Sequence, residues 1–128
     1  MNYYKYHYFS FQIIKKTFIV STDASNIGIA GVITQLDENG KEKPLAFAFR
    51  TLTHAEKNYT ITDKEALSIF WILSKFRTMI YGYEIQIYTD HQPLIYLFKS
   101  KELEGRRARW NLKIQSFNPT FHYKKRKT

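Results

Sequence analysis

The feature that most restricts what this chain can fold into is a change of hydrophobic period at Thr62. Before it, short runs rich in β-branched and aromatic residues are punctuated by polar and glycine-containing turns. From Thr62 to Met79 the pattern moves to helical spacing, with Ala66, Ile69, Phe70, Leu73, Arg77 and Ile80 on one stripe. Glu84 to Thr89 (EIQIYT) then alternates again. A helix inserted between strands, in a chain of 128 residues, points to one mixed α/β sheet with helices packed against it.

The strands bracket the helix in a definite order. Thr17 to Asp23 reads as the first strand and Gly28 to Gln35 as the second. Asp37-Glu38-Asn39-Gly40 carries an Asn-Gly turn signal, and Pro44 to Leu52 follows as the third strand, giving an antiparallel meander. Thr62 and Glu65 fit a capping box at the start of the helix. The strand at Glu84 follows a helix, so it is expected to run parallel to an earlier strand. Pro93 to Phe98 and Arg106 to Phe117 suit two further helices, and Pro119 to Tyr123 a last short strand. Residues 1–16, with four tyrosines and two phenylalanines in the first eleven positions, read as a leader to a domain over 17–128.

Charge narrows the partners. The formal net charge is +9, an excess that suits a polyanion such as nucleic acid. There is no cysteine, so disulfide frameworks and thiolate metal sites are excluded. The longest apolar run falls far short of the roughly 20 residues of a membrane span, and no membrane partner is expected. The aromatic, basic N-terminus lacks the apolar core and cleavage site of a signal peptide.

Two strands share an oddity. FIVSTD ends at Asp23 and IQIYTD ends at Asp90, each acid following a threonine at the C-terminal tip of an apolar strand. In α/β sheets that edge is where ligands bind. Glu65, in the first turns of the helix, borders the face that packs on the sheet, with Ile69 and Ile72 following at its spacing. Three converging carboxylates repel one another unless cations lie between them. Mg²⁺ takes oxygen ligands from a few carboxylates plus substrate phosphates, and two such ions about 4 Å apart serve phosphodiester hydrolysis. Each acid also has a local alternative. Asp23 suits a turn, Glu65 the capping box, and Asp90 the cap of the helix that begins at Pro93.

The stretches STDASNIGIAGVITQ, FAFRTLTHAEKNYTITDKEALSIFWILSKFRTMIYG, YTDHQPLIYLF and RRARWNLKIQSF stand in that order from Ser21 to Phe117. Together they closely resemble the ribonuclease H domain of gypsy-type LTR-retrotransposon reverse transcriptases. The resemblance implies a ribonuclease H-like fold: a five-stranded mixed sheet, an antiparallel three-strand meander followed by parallel strands, flanked by helices. It implies cleavage of RNA in RNA–DNA hybrids with Mg²⁺ or Mn²⁺, two ions held by Asp23, Glu65 and Asp90. It also implies an upstream polymerase domain, to whose end residues 1–16 show no likeness. The family's fourth acid lies in a segment resembling N-x-V-A-D-A-L-S-R. The present sequence stops before it, so weak or no activity is expected of this chain in isolation.

Other residues are candidates for nucleic-acid contact. Asn26 suits a minor-groove or 2′-hydroxyl contact, Ser25 is a weaker candidate, and Gly28 and Gly31 permit close backbone approach; the alternative for all four is a tight turn. Arg106, Arg107 and Arg109 crowd a helix start, where they oppose the helix dipole, which favours phosphate contact. Trp110, Leu112, Ile114 and Phe117 suit the core rather than base stacking. The run from Lys124 to Lys127 suits phosphate contact or nuclear import, or is a solvated tail. His91 suits a local hydrogen bond beside Asp90. Two further functions stay open beside the nuclease: a nucleic-acid binder without turnover, and a genomic relic without function.

Overall fold

The computed structural model describes residues 17–125. The leader expected over residues 1–16, and the end of the basic run, lie outside the described residues. Five strands form one sheet: β1 Thr17–Ala24, β2 Gly28–Leu36, β3 Glu42–Thr51, β4 Glu84–Thr89 and β5 Thr120–Tyr123. Their order is β3-β2-β1-β4-β5. β1 pairs antiparallel with β2 and parallel with β4, as expected of a strand that returns after a helix. The helices are α1 His54–Lys57, α2 Ile61–Lys75, α3 Arg77–Ile80, α4 Pro93–Leu97 and α5 Gly105–Gln115.

The turns follow side-chain chemistry. Between β2 and β3, the Asp37 carboxylate accepts the backbone N–H groups of Asn39 and Lys41, each at 2.9 Å. Gly40 takes the left-handed conformation at φ +79, which costs glycine no steric strain. Between β1 and β2, the Ser25 hydroxyl accepts the N–H groups of Ile27 and Gly28 at 3.3 and 3.1 Å. Ser25 therefore builds the turn with the hydroxyl that nucleic-acid contact would need, and exposed Asn26 is the side chain the turn presents outward.

The capping box at Thr62 and Glu65 does not form. Thr60 caps α2, its hydroxyl accepting the Asp63 N–H at 3.1 Å, so Thr62 already lies inside the first turn. A true box closes one helix earlier: Thr53 Oγ1 accepts the Glu56 N–H, and the Glu56 carboxylate accepts the Thr53 N–H. The helix expected to run to Met79 breaks at Phe76, which leaves the helical region at φ -104, ψ 22. The short α3 then carries Ile80 into the core, where it is fully buried.

One face of the sheet is the core. Val20, Ile29, Ile33, Ile85 and Ile87 meet Ile69, Ile72 and Leu73 of α2, all essentially inaccessible to water. Each contributes about 2 kcal/mol of apolar burial. Gly31 lies directly beneath Ile72, and a β-carbon there would collide with the Ile72 side chain. At Gly28 a β-carbon would come within 2.7 Å of the Phe49 ring. Both glycines thus have a packing reason within the domain. The opposite face is open: Phe47 and Phe49 are 70% and 53% exposed. Among the described residues no helix is long and apolar enough to cross a membrane.

Candidate active site

The site is built at the C-terminal tips of β1 and β4. The parallel register runs from Thr17 beside Glu84 to Ser21 beside Tyr88. Both strands run in the same direction, so Asp23, near the end of β1, and Asp90, which directly follows β4, lie at the same C-terminal edge of the sheet. Asp23 is exposed and Asp90 half-buried. Strand alternation places Asp23 on the open face with its cross-strand neighbours Ala30 and Phe49, because Thr22, one residue earlier, pairs with Gly31 under α2. The tip of β1 divides two cavities. One, of about 400 Å³, is lined by Ser21, Thr22, Tyr88, Thr89 and Asp90 together with Lys124 and Lys125. The other, of about 310 Å³, is lined by Asp23, Ala30 and Phe47 among others.

Glu65 reaches this end from the helix layer. It is only 5% exposed, unlike a capping-box acid at a solvated helix start. A bond that the sequence did not disclose ties the start of its helix to the end of β4. Thr62 Oγ1 and His91 Nε2 are 2.8 Å apart, joining the first turn of α2 to the residue after Asp90. Thr62 and Glu65 stand three residues apart and share a helix face. The His91 N–H in turn donates to Thr89 Oγ1 at 3.0 Å. Asp23 lies on the open face of the sheet and Glu65 on α2, in the helix layer. Among the described residues, no three His, Asp or Glu side chains stand together as a ready metal-binding cluster.

The arginine cluster resolves differently from expectation. Arg106 Nη2 and Arg107 Nε donate to the two oxygens of Asp63 at 2.7 and 2.6 Å. Asp63 is 4% exposed, in the first turn of α2. Burial alone would raise its pKa, but the hydrogen bonds from Arg106 and Arg107 outweigh burial and hold the carboxyl below the ordinary value. Arg106 also lies 3.7 Å over the Tyr59 ring. These two cations therefore clamp α5 to α2, which gives their place at a helix start a structural reason. Arg109 is exposed and makes no ion pair with another described residue. Trp110, Ile114 and Phe117 are core residues as expected, but Leu112, expected beside them, is 77% exposed because it falls on the outer face of α5. Sequence reasoning passed over Asp63 and gave Thr62 a capping role in place of its bond to His91; the signal available for Asp63 was an acid two residues before Glu65 in a segment otherwise becoming apolar.

A mixed five-stranded sheet in this order, helices on one face and acids at the tips of its two central parallel strands, defines an RNase H-like α/β domain. The model of the RNase H-like domain found in reverse transcriptase matches residues 14–117, and the chain belongs to that family. It is 37% identical over 116 residues to the retrovirus-related Pol polyprotein from transposon opus of Drosophila melanogaster, covering 90% of this chain and 12% of that protein. To the polyprotein from transposon gypsy of the same fly it is 37% identical over 111 residues, covering 86% of this chain and 10% of the relative. The chain thus spans about a tenth of the length of these relatives. Among solved structures, a foamy viral protease-reverse transcriptase in complex with dsDNA matches with a TM-score of 0.68 at 23% identity, over 88% of this chain and 24% of that one. RNase H1 from Halobacterium salinarum matches with a TM-score of 0.62 at 12% identity, over 86% of each chain. At these identities the structures show the fold alone, and they show the ribonuclease H fold that the motifs implied.

Proposed function

We propose that this domain hydrolyses the RNA strand of RNA–DNA hybrids, and that Asp23, Glu65 and Asp90 are its catalytic acids. The observation that supports the reading is the parallel pairing of β1 and β4, whose shared C-terminal edge, where ligands bind in such sheets, carries Asp23 and Asp90. The donor set is all oxygen, which suits Mg²⁺ or Mn²⁺. Such an ion is commonly held by one or two carboxylates and completed by water and substrate phosphate, so a closed protein cage is not required. When bound, divalent ions supply Lewis-acid stabilisation of the charge that develops on phosphoryl oxygens. Asp23 and Asp90 would hold them from the open face and Glu65 from the helix layer. His91 and Thr62 keep those two layers in register.

The chain's own residues otherwise bind and orient. Asn26, exposed at the β1–β2 turn, suits the hybrid's minor groove and the 2′-hydroxyl that distinguishes RNA. Arg109 suits backbone phosphate. In the parent polyprotein the domain would work beside a polymerase on the same hybrid.

The test is a 5′-labelled RNA annealed to DNA, incubated with excess protein in Mg²⁺ and, separately, Mn²⁺. Wild type should release short RNA products, and Asp90→Asn should slow release at least a thousandfold while its thermal melt stays close to wild type. Cleavage that survives in Asp90→Asn would place the chemistry elsewhere. Binding of the hybrid without cleavage by wild type would favour the non-catalytic reading, which the basic surface also supports.

A further inference from the structure

Two lysines stand where a nuclease has most need of positive charge. Strand β5 pairs in parallel with β4 through Thr89 beside Tyr123, and the Lys124 N–H then donates to the Thr89 carbonyl at 2.9 Å. The chain leaving β5 is thereby pinned alongside the residue that precedes Asp90. Stacking of His122 on Tyr88, ring centroids 4.8 Å apart, holds the same two strands together on the open face. Lys124 and Lys125 consequently line one cavity with Ser21, Tyr88 and Asp90. Both lysines are exposed, and neither makes an ion pair with another described residue.

We infer that Lys124 and Lys125 form a phosphodiester-binding subsite beside Asp90, holding the hybrid's backbone against the tips of β1 and β4. The physical need is plain. Asp23 and Asp90 present negative charge to a polyanion, so the strand to be cut is repelled from the place where it must sit. Ammonium groups on flexible stems, a residue or two beyond the pinned backbone, offset that repulsion without competing for a metal ion. The hydroxyl of Ser21, on the open face, offers a hydrogen-bond partner in the same cavity. A solvated tail also places lysines at a surface, but it does not fix the first of them to the strand that carries the acid. This inference rests on the nuclease reading for what occupies the cavity, not for the binding itself.

The experiment measures binding and cleavage separately. With EDTA present, so that no divalent ion contributes, the affinity for a fluorescein-labelled RNA–DNA hybrid is followed by anisotropy from about 50 to 200 mM salt. Each neutralised phosphate contact is worth about 0.9 in the slope of log affinity against log salt. Lys124→Gln and Lys125→Gln should each lower the slope by about that amount, and together weaken binding about tenfold near 100 mM salt. Lys124→Arg should keep the wild-type slope. The Lys124 anchor to Thr89 is a backbone bond, so these substitutions leave it in place. Lys41→Gln, in the turn at the other end of the sheet, should change nothing. Slopes equal to wild type in the Gln variants would overturn the inference, as would an equal drop in Lys41→Gln, which marks diffuse charge. If wild type cleaves in an Asp90-dependent way while the Gln slopes are unchanged, the subsite falls and the nuclease reading stands. If wild type cleaves nothing but the Gln variants lose slope, the reverse holds.

Discussion

At the scale of single residues, the contact that most needs explaining is His91 to Thr62. A side-chain bond across 29 positions of sequence joins the residue after one proposed catalytic acid to the helix turn that carries another. Such a bond contributes about 1 kcal/mol to stability, so stability is a small part of its consequence. Its larger effect is geometric, because displacements near 1 Å at a reacting centre cost up to about a hundredfold in rate. On the nuclease reading, His91→Ala should fold, melt slightly below wild type, and lose ten- to a hundredfold in kcat with little change in KM for hybrid. His91→Gln, whose amide can still meet the Thr62 hydroxyl, should recover part of that loss. A variant as active as wild type, or one that Gln does not rescue, would make the bond structural only.

Elements are held by contacts that local pattern cannot reveal, and Gly31 is the clearest case. Its place in β2 is set by Ile72 above it, so Gly31→Ala should cost about 2 kcal/mol through overpacking. Ile72→Ala alone should cost about 3 kcal/mol through its cavity. Because the two side chains compete for one volume, the double variant should be more stable than the sum of losses by 1 kcal/mol or more, as read from urea unfolding. Strictly additive losses would show that the backbone relaxes around the new methyl group. The same distinction explains what was legible in the sequence. The five strands, the parallel return of β4 and the acids at the tips follow from periodicity and position, and all are local signals. Cap assignment was not, since Thr53, Thr60 and Thr62 each precede an acid by three residues and only packing decides between them. Nor was the tie of Asp63 to Arg106 and Arg107, which lie 43 and 44 positions away. A cation at a helix start reads as a phosphate ligand until its buried partner is known.

For the molecule as a whole, charge and pH decide how the domain comes apart. Two carboxyls are held below their ordinary values in the folded state: Asp63, where hydrogen bonds from Arg106 and Arg107 outweigh burial, and Glu56, through its hydrogen bond to Arg50. A folded pKa below the unfolded one means stability that is complete at neutral pH and down to the ordinary values, 3.8 for Asp and 4.5 for Glu, then lost as pH falls further. Over the same range the 11 acids neutralise while 20 lysines and arginines and 4 histidines stay charged, so self-repulsion grows as the clamps release. The arginines facing Asp63 are 39% and 38% exposed, which limits that clamp to about 1–2 kcal/mol. Asp63→Asn should therefore be less stable than wild type by that amount at pH 7. The gap should hold to about pH 4 and close towards pH 3, as urea midpoints across the series will show. A gap that stays constant through acid would mean that Asp63 contributes packing, not charge, and that α5 is fastened to α2 by Trp110 and its apolar neighbours alone.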